Sequence, residues 1–155
     1  MFAHLNSIGL YGMDAFEVNV EADISNGLPG FDVVGLPDTA VKESRDRVRS
    51  ALKNCGFTFP MSRITVNLAP ADKRKEGPIY DLPILLAILT ASGQLSCDLS
   101  DCAMIGELSL SGEIHGIRGV LPMAIHAKEL GYHRLFVPAV NAAEGAVVEG
   151  LEVYP

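Results

Sequence analysis

The stretch from Asp81 to Gly93 constrains the fold more than any other part of the chain. Residues 84–89 (Ile-Leu-Leu-Ala-Ile-Leu) are all apolar, so a helix formed by them has no face suited to solvent. Pro83 falls in the first turn of such a helix, where its missing N–H costs little. Asp81 can cap this helix and Gly93 can end it. We therefore expect a helix at the centre of the core, surrounded by other elements.

Segments with strand periodicity are available to surround this helix. Residues 16–21 and 63–69 alternate apolar and polar side chains, which is the pattern of a half-buried strand. A turn rich in Gly and Pro over 26–30 separates the first of these from an extended segment over 31–36. The remaining predicted elements are a hairpin over 102–115, a helix over 120–130, a strand over 135–137, a short helix over 141–147 and an extended segment over 151–154.

A further helix is predicted between Asp38 or Thr39, either of which can cap it, and Gly56, which follows its last periodic residue. One stripe of this helix is apolar and is expected to face the core. Its members are Val41, Val48, Leu52 and Cys55. A neighbouring stripe carries four cations. Its members are Lys42, Arg45, Arg49 and Lys53.

Charge is distributed unevenly along the chain. The net charge is −7, yet nine of the twelve basic residues lie between Lys42 and Lys75, where only three acidic residues occur. A basic zone on an acidic body can hold a polyanion locally. The candidate contacts with DNA or a protein partner are Arg45, Arg49, Lys53, Lys73, Arg74 and Lys75. The alternatives left open for these cations are DNA, an acidic protein surface and a merely solvated surface.

Several kinds of active site are not indicated by the sequence. The dipeptide Gly-Lys and the pattern G-x-G-x-x-G are absent, so the chain has no phosphate-binding loop of either type. Its four histidines are scattered and its three cysteines form no C-x-x-C pair, which favours neither a metal site nor a disulfide framework. We therefore predict no catalytic, cofactor-binding or metal-binding residues. Without a leader or a long apolar span, a cytoplasmic location is expected, with no membrane contact.

Two segments resemble the proteolytic domain of Lon proteases. Residues 75–81 (Lys-Glu-Gly-Pro-Ile-Tyr-Asp) are similar to the Lon segment that carries the nucleophilic serine, and residues 105–121 resemble the hairpin and helix that carry the catalytic lysine. The resemblance places Ile79 at the serine position and Leu121 at the lysine position. Neither side chain can attack a carbonyl or accept a proton. The resemblance therefore implies a protease fold without the protease dyad.

A resemblance covering the whole chain is to the YifB/ComM family, also described as magnesium-chelatase-like. It is carried by residues 26–36, 37–49 and 63–77, which include Asn-Gly-Leu-Pro-Gly-Phe and Asn-Leu-Ala-Pro-Ala-Asp-Lys-Arg-Lys-Glu-Gly. Members of that family place a Lon-like domain before an AAA+ ATPase domain, and the ComM branch is a hexameric helicase for DNA branch migration in natural transformation. The resemblance thus implies partners of three kinds: neighbouring subunits of a homo-hexamer, the ATPase domain and DNA.

These observations predict one α+β domain over residues 1–155. Its fold is expected to be the two-layer Lon proteolytic-domain-like fold, with a mixed sheet and helices packed mainly on one face. An AAA+ ATPase domain, with its ATP and magnesium, is expected downstream and is absent from this chain. The expected function is a non-catalytic N-terminal module that supports hexamer assembly and DNA contact. The alternatives are a serine-lysine-type peptidase with an altered dyad and an accessory domain of a magnesium chelatase-related ATPase.

Overall fold

A computed structural model describes all residues from Met1 to Pro155. The chain forms nine strands and five helices, with 3₁₀ turns at Pro78–Tyr80 and Ala139–Asn141. The strands are β1 Phe2–Tyr11, β2 Asp14–Ser25, β3 Gly30–Val34, β4 Arg63–Ala69, β5 Cys102–Met104, β6 Glu107–Leu108, β7 Ile114–His115, β8 Arg134–Phe136 and β9 Glu152–Tyr154. The helices are α1 Thr39–Lys42, α2 Ser44–Asn54, α3 Asp81–Ala91, α4 Val120–Glu129 and α5 Ala142–Gly145.

Seven strands form one mixed sheet in the order β3-β4-β2-β1-β5-β8-β9. Strand β2 is antiparallel to both of its neighbours, β1 and β4, whereas every other adjacent pair is parallel. Strands β6 and β7 form a separate two-stranded hairpin. The predicted α+β fold with a mixed sheet is confirmed. Strand β3 lies at one edge of the sheet and β9 at the other.

The larger core cluster lies between one face of the sheet and helices α1, α2 and α3. Strand β2 buries every second residue, as its alternation predicts, and Val18, Val20 and Ala22 have no exposed surface. Helix α3 lies against β1 and β2. Eight of its eleven residues are buried, which confirms the prediction of a central helix.

A second core cluster lies on the opposite face, at the end of the sheet formed by β5, β8 and β9. There Ile8, Ala103 and Leu135 pack against Met123 and Ala124 of α4. Most helices therefore share one face, as predicted, while α4 and α5 cover part of the other. The rest of that second face, over β2 and β4, carries polar side chains such as the hydrogen-bonded pair Asn67 and Glu21.

Three local predictions need correction. The helix expected from 38 to 55 is broken at Glu43, beside Ser44, whose buried side chain is turned toward another helix. Cys55 is exposed because the helix ends before it, and its sulfur lies 3.8 Å from the carbonyl oxygen of Ser111. The predicted hairpin over 102–115 is shorter, since Cys102–Met104 joins the main sheet between β1 and β8.

The predicted helix cap at Asp38 is confirmed, because the Asp38 carboxylate accepts a hydrogen bond from the Val41 N–H at 2.8 Å.

None of the helices is both long and apolar enough to cross a lipid bilayer.

Candidate nucleic-acid interface

Helix α2 presents a row of cations on the side away from the core. Arg45, Arg49 and Lys53 follow one another every four residues, so they share one face of the helix. Val48 and Leu52 lie on the neighbouring face and are fully buried. All three cations are exposed, and none forms an ion pair with an acidic side chain. We call Arg45, Arg49 and Lys53 the α2 row.

The α2 row borders two shallow depressions beside the edge strand β3. One of them, of about 280 Å³, is lined by Arg49 and Lys53 together with Phe59. The Arg49 guanidinium carbon lies 5.1 Å from the centre of the Phe59 ring, a cation–π distance that orients the charge. The other depression, of about 440 Å³, is lined by Lys42 and Arg45 and by Arg63, which pairs with Asp32 at 2.8 Å. Positive charge therefore extends along this edge of the sheet.

Lys73 and Arg74 lie at a different place, in the loop after β4. They line a third depression, of about 360 Å³, next to the turn between β1 and β2. The Lys73 ammonium lies 5.0 Å from the centre of the Phe16 ring. Arg74 is exposed and lies 3.6 Å from Glu76. The structure thus divides the predicted contact residues between two sites rather than gathering them in one.

Lys75 is not available to a partner, so its prediction as a contact is wrong. It is fully buried, and its ammonium donates to the carbonyl oxygens of Gly35, at 2.9 Å, and of Pro70. Its backbone also pairs with this region, for its N–H donates to the Leu36 carbonyl and its carbonyl accepts from the Asp38 N–H, both at 3.0 Å. Lys75 therefore anchors the loop from which Lys73 and Arg74 project.

Burial lowers the pKa of Lys75 from its ordinary value of 10.5. Because the unfolded chain then binds more protons than the folded chain, the free energy of unfolding should rise as the pH approaches 10.5. A Lys75→Met variant should lack this increase, although it loses both carbonyl partners and is less stable throughout. Urea unfolding of both proteins across the alkaline range measures the difference. Parallel pH curves for the two proteins would contradict the prediction, and Lys73→Met serves as an exposed control.

A buried polar cluster that the sequence did not reveal joins α2 to α3. Asp81, which is fully buried, accepts from the Ser44 hydroxyl and from Arg47 Nε at 2.6 Å and Nη2 at 3.1 Å. It also accepts from the Leu108 N–H at 3.0 Å. The hydrogen bond to Asp81 raises the pKa of Arg47, so that this arginine stays charged. The prediction that Asp81 caps its own helix is wrong, since the side chain makes no capping bond.

The two positions that the resemblance to Lon places at the protease dyad carry hydrocarbon side chains. Ile79 lies in the 3₁₀ turn before α3, half-buried and in contact with both core clusters. Leu121 lies in the first turn of α4 and is 36% exposed. It lines a surface depression with Ile125, Lys128 and Val147 among others. Neither side chain has an atom that can act as a nucleophile or as a base.

No group of three or more His, Cys, Asp or Glu side chains comes together in a way that could hold a metal ion. The lysine that a phosphate-binding loop requires after a glycine is also missing.

Comparison with known proteins identifies the family. The family model described as subunit ChlI of Mg-chelatase matches residues 20–141. The uncharacterized protein YifB of Salmonella typhimurium is 49% identical over 88% of this chain and 27% of its own length. Competence protein ComM of Haemophilus influenzae is 47% identical over 92% of this chain and 28% of its own length. A Lon protease of Leptospira interrogans is 27% identical over 79% of this chain and 15% of its own length.

The chain spans less than a third of the length of each of these relatives. The matches to YifB and ComM confirm the family resemblance given by residues 26–49 and 63–77, and the weaker match to a Lon protease agrees with the resemblance to Lon. Most of the chain lies within the matched family model. It therefore belongs to the Mg-chelatase ChlI family, in the group that contains YifB and ComM.

Proposed function

We propose that this chain is the non-catalytic N-terminal domain of a YifB/ComM-type AAA+ ATPase and that it binds DNA through the α2 row. In this proposal the motor, with its ATP and magnesium, belongs to a separate ATPase domain. Neighbouring copies in a homo-hexamer and that ATPase domain are the proposed protein partners. The proposed setting is the cytoplasm, during branch migration in natural transformation, a role consistent with the name of the competence protein ComM.

The α2 row is the observation that carries this proposal. Three exposed cations without acidic partners stand on one helix of a chain whose net charge is −7. By contrast, Arg47, Arg63 and Arg134 each pair with a carboxylate within 3 Å. Cations kept free of local partners are suited to the phosphates of a nucleic-acid backbone. Repetition around a ring would multiply a weak contact by raising its effective concentration.

A non-catalytic role is supported by the side chains at the two dyad positions. Ile79 and Leu121 offer neither nucleophile nor base, so a peptidase of the Lon type has no chemical basis at these positions. A porphyrin-handling role has only the family description in its favour. Binding and assembly are the activities that agree with the surface described above.

A charge-reversal experiment tests the proposal. Fluorescence anisotropy at low salt should show this chain binding labelled duplex DNA, and Arg45→Glu combined with Arg49→Glu should weaken binding at least tenfold. The negative slope of log affinity against log salt concentration should become shallower by about two, since each phosphate contact contributes about one to its steepness.

The matched control is Arg118→Glu combined with Lys128→Glu, which changes the net charge equally but alters exposed cations away from the α2 row. This control double variant should keep most of the affinity that the unsubstituted chain has for duplex DNA. Equal losses in the two double variants would show that only net charge matters and would overturn the assignment to α2. No binding of DNA at any salt concentration would overturn the proposal itself.

A further inference from the structure

A small pocket at one end of the sheet combines aromatic rings with cations. It has a volume of about 360 Å³ and lies between the turn that joins β1 to β2 and the loop after β4. Its lining residues are Tyr11, Asp14, Ala15, Phe16, Lys73 and Arg74. The volume is within the range of small-ligand sites. Nothing described so far accounts for this combination of side chains.

The floor of the pocket is an aromatic ring with a cation held above it. Phe16 is almost fully buried, and the Lys73 ammonium lies 5.0 Å from its ring centre. Tyr11 is 66% exposed and adds a second ring to the lining. Exposed aromatic rings beside cations are the features by which proteins bind single nucleic-acid strands, because each base has a face that can stack.

The charges of the pocket complement a nucleotide. Lys73 and Arg74 supply two positive groups, and the ion pair of Arg74 with Glu76 is long and exposed, at 3.6 Å with side chains 65% and 48% exposed. Such a pair is weak and can be exchanged for a phosphate. Asp14 supplies one carboxylate, a group that can accept a hydrogen bond from an N–H group of a base.

An unsatisfied hydroxyl lies behind the floor of this pocket. Tyr80 is fully buried and its Oη is the buried side-chain polar atom without a hydrogen-bond partner. A Cβ built at Gly9 would collide with both this hydroxyl and the Phe16 ring, so the two lie side by side. Burial raises the pKa of Tyr80, so the hydroxyl keeps its proton and is a donor.

We infer that this pocket binds one base of a single nucleic-acid strand, with Tyr11 stacking on the base and with Lys73 and Arg74 contacting the adjoining phosphates. The inference rests on the proposed DNA-binding function and goes further, since it assigns a second site that contacts bases and not only phosphates. The α2 row serves the backbone alone.

The test compares two labelled strands of equal length and equal phosphate number. One is oligothymidylate and the other is an abasic strand that carries no bases. Anisotropy should show oligothymidylate binding tighter by about five- to 150-fold, which is the range for stacking of one base. Tyr11→Ala should remove most of this preference and leave the affinity for the abasic strand unchanged. Met13→Ala, in the same turn but outside the pocket lining, should change neither.

The outcomes separate the two proposals. Equal affinity for the two strands would overturn the base site. If the double variant Arg45→Glu and Arg49→Glu then also lost its binding to both strands, the α2 row would remain as the DNA contact. No binding of either strand would overturn both. Equally tight binding of a polyglutamate peptide would show that Lys73 and Arg74 recognise acidic charge alone, and would also overturn the base site.

Discussion

Replacing Asp81 with Ala should lower the free energy of unfolding by about 3 kcal/mol, because it leaves Arg47 without its partner inside the protein. Asp81 accepts four hydrogen bonds that tie α2 and the end of β6 to α3. Arg47 has 18% of its side chain exposed, so water recovers part of its hydration and the loss lies at the lower end for a buried pair. Urea unfolding monitored by circular dichroism measures this change.

Two further variants make this prediction specific. Asp81→Asn keeps the shape and one accepting oxygen but not the charge, so its loss should be intermediate. Asp72→Ala removes an exposed aspartate in the loop after β4 and should cost less than about 0.5 kcal/mol. A loss below about 1 kcal/mol for Asp81→Ala would contradict the view that this carboxylate joins α2 to the core. The same link holds α2, and with it the α2 row, in a fixed orientation.

Regular patterning in the sequence was sufficient to predict the main elements. Alternation over residues 16–21 correctly placed a half-buried strand, because one face of β2 packs on the core and the other does not. The all-apolar run at 84–89, with Pro83 before it and Gly93 after it, correctly placed a central helix, because apolar side chains on every side of a helix must all be covered. In both cases a local pattern determines burial, so the sequence alone carries the signal.

The errors arose where distant segments decide the outcome. Lys75 belongs to a Lys-Arg-Lys run typical of a solvated loop, yet carbonyls from Gly35 and Pro70 surround its ammonium. Asp81 stands at a position suited to a helix cap, but its partners Ser44 and Arg47 lie 37 and 34 residues away. The periodicity of apolar and polar residues along the sequence does not indicate such contacts. An aspartate at the start of an otherwise apolar helix was the one available sign that a buried partner was needed.

The division of the basic residues into two sites has a similar cause. Arg45 and Arg49 share a helix face by local spacing, which the sequence predicts correctly. Whether Lys73 joins them depends on where the chain leaves β4, which lies between β3 and β2 in the sheet. The loop carries Lys73 to the turn after β1 and away from α2. Tyr11 and Phe16 were therefore missed as neighbours of the basic loop.

Gly35→Ala should be the other strongly destabilising substitution, with an expected loss of about 3 kcal/mol. Gly35 has a φ of 104°, which costs an L-residue roughly 1–2 kcal/mol. A Cβ there would also collide with the backbone carbonyl oxygen of Leu68 and lie 3.0 Å from the Leu68 nitrogen. Since β4 is a paired internal strand, its backbone cannot move aside cheaply, and overpacking of this kind adds about 1–3 kcal/mol.

Comparison with Gly56→Ala separates the destabilisation caused by the collision from the destabilisation caused by the positive φ. Gly56 has a similar φ, of 88°, but nothing lies within 4 Å of a Cβ built there, so its loss should stay near 1 kcal/mol. Equal losses in the free energy of unfolding for the two variants would contradict the prediction that a Cβ at position 35 collides with Leu68. Because Gly35 also supplies a carbonyl to the buried Lys75 ammonium, Gly35→Ala should expose the loop after β4 to proteolysis, whereas Gly56→Ala should not. That second measurement connects the backbone geometry at Gly35, directly after β3, to the placement of Lys73 and Arg74.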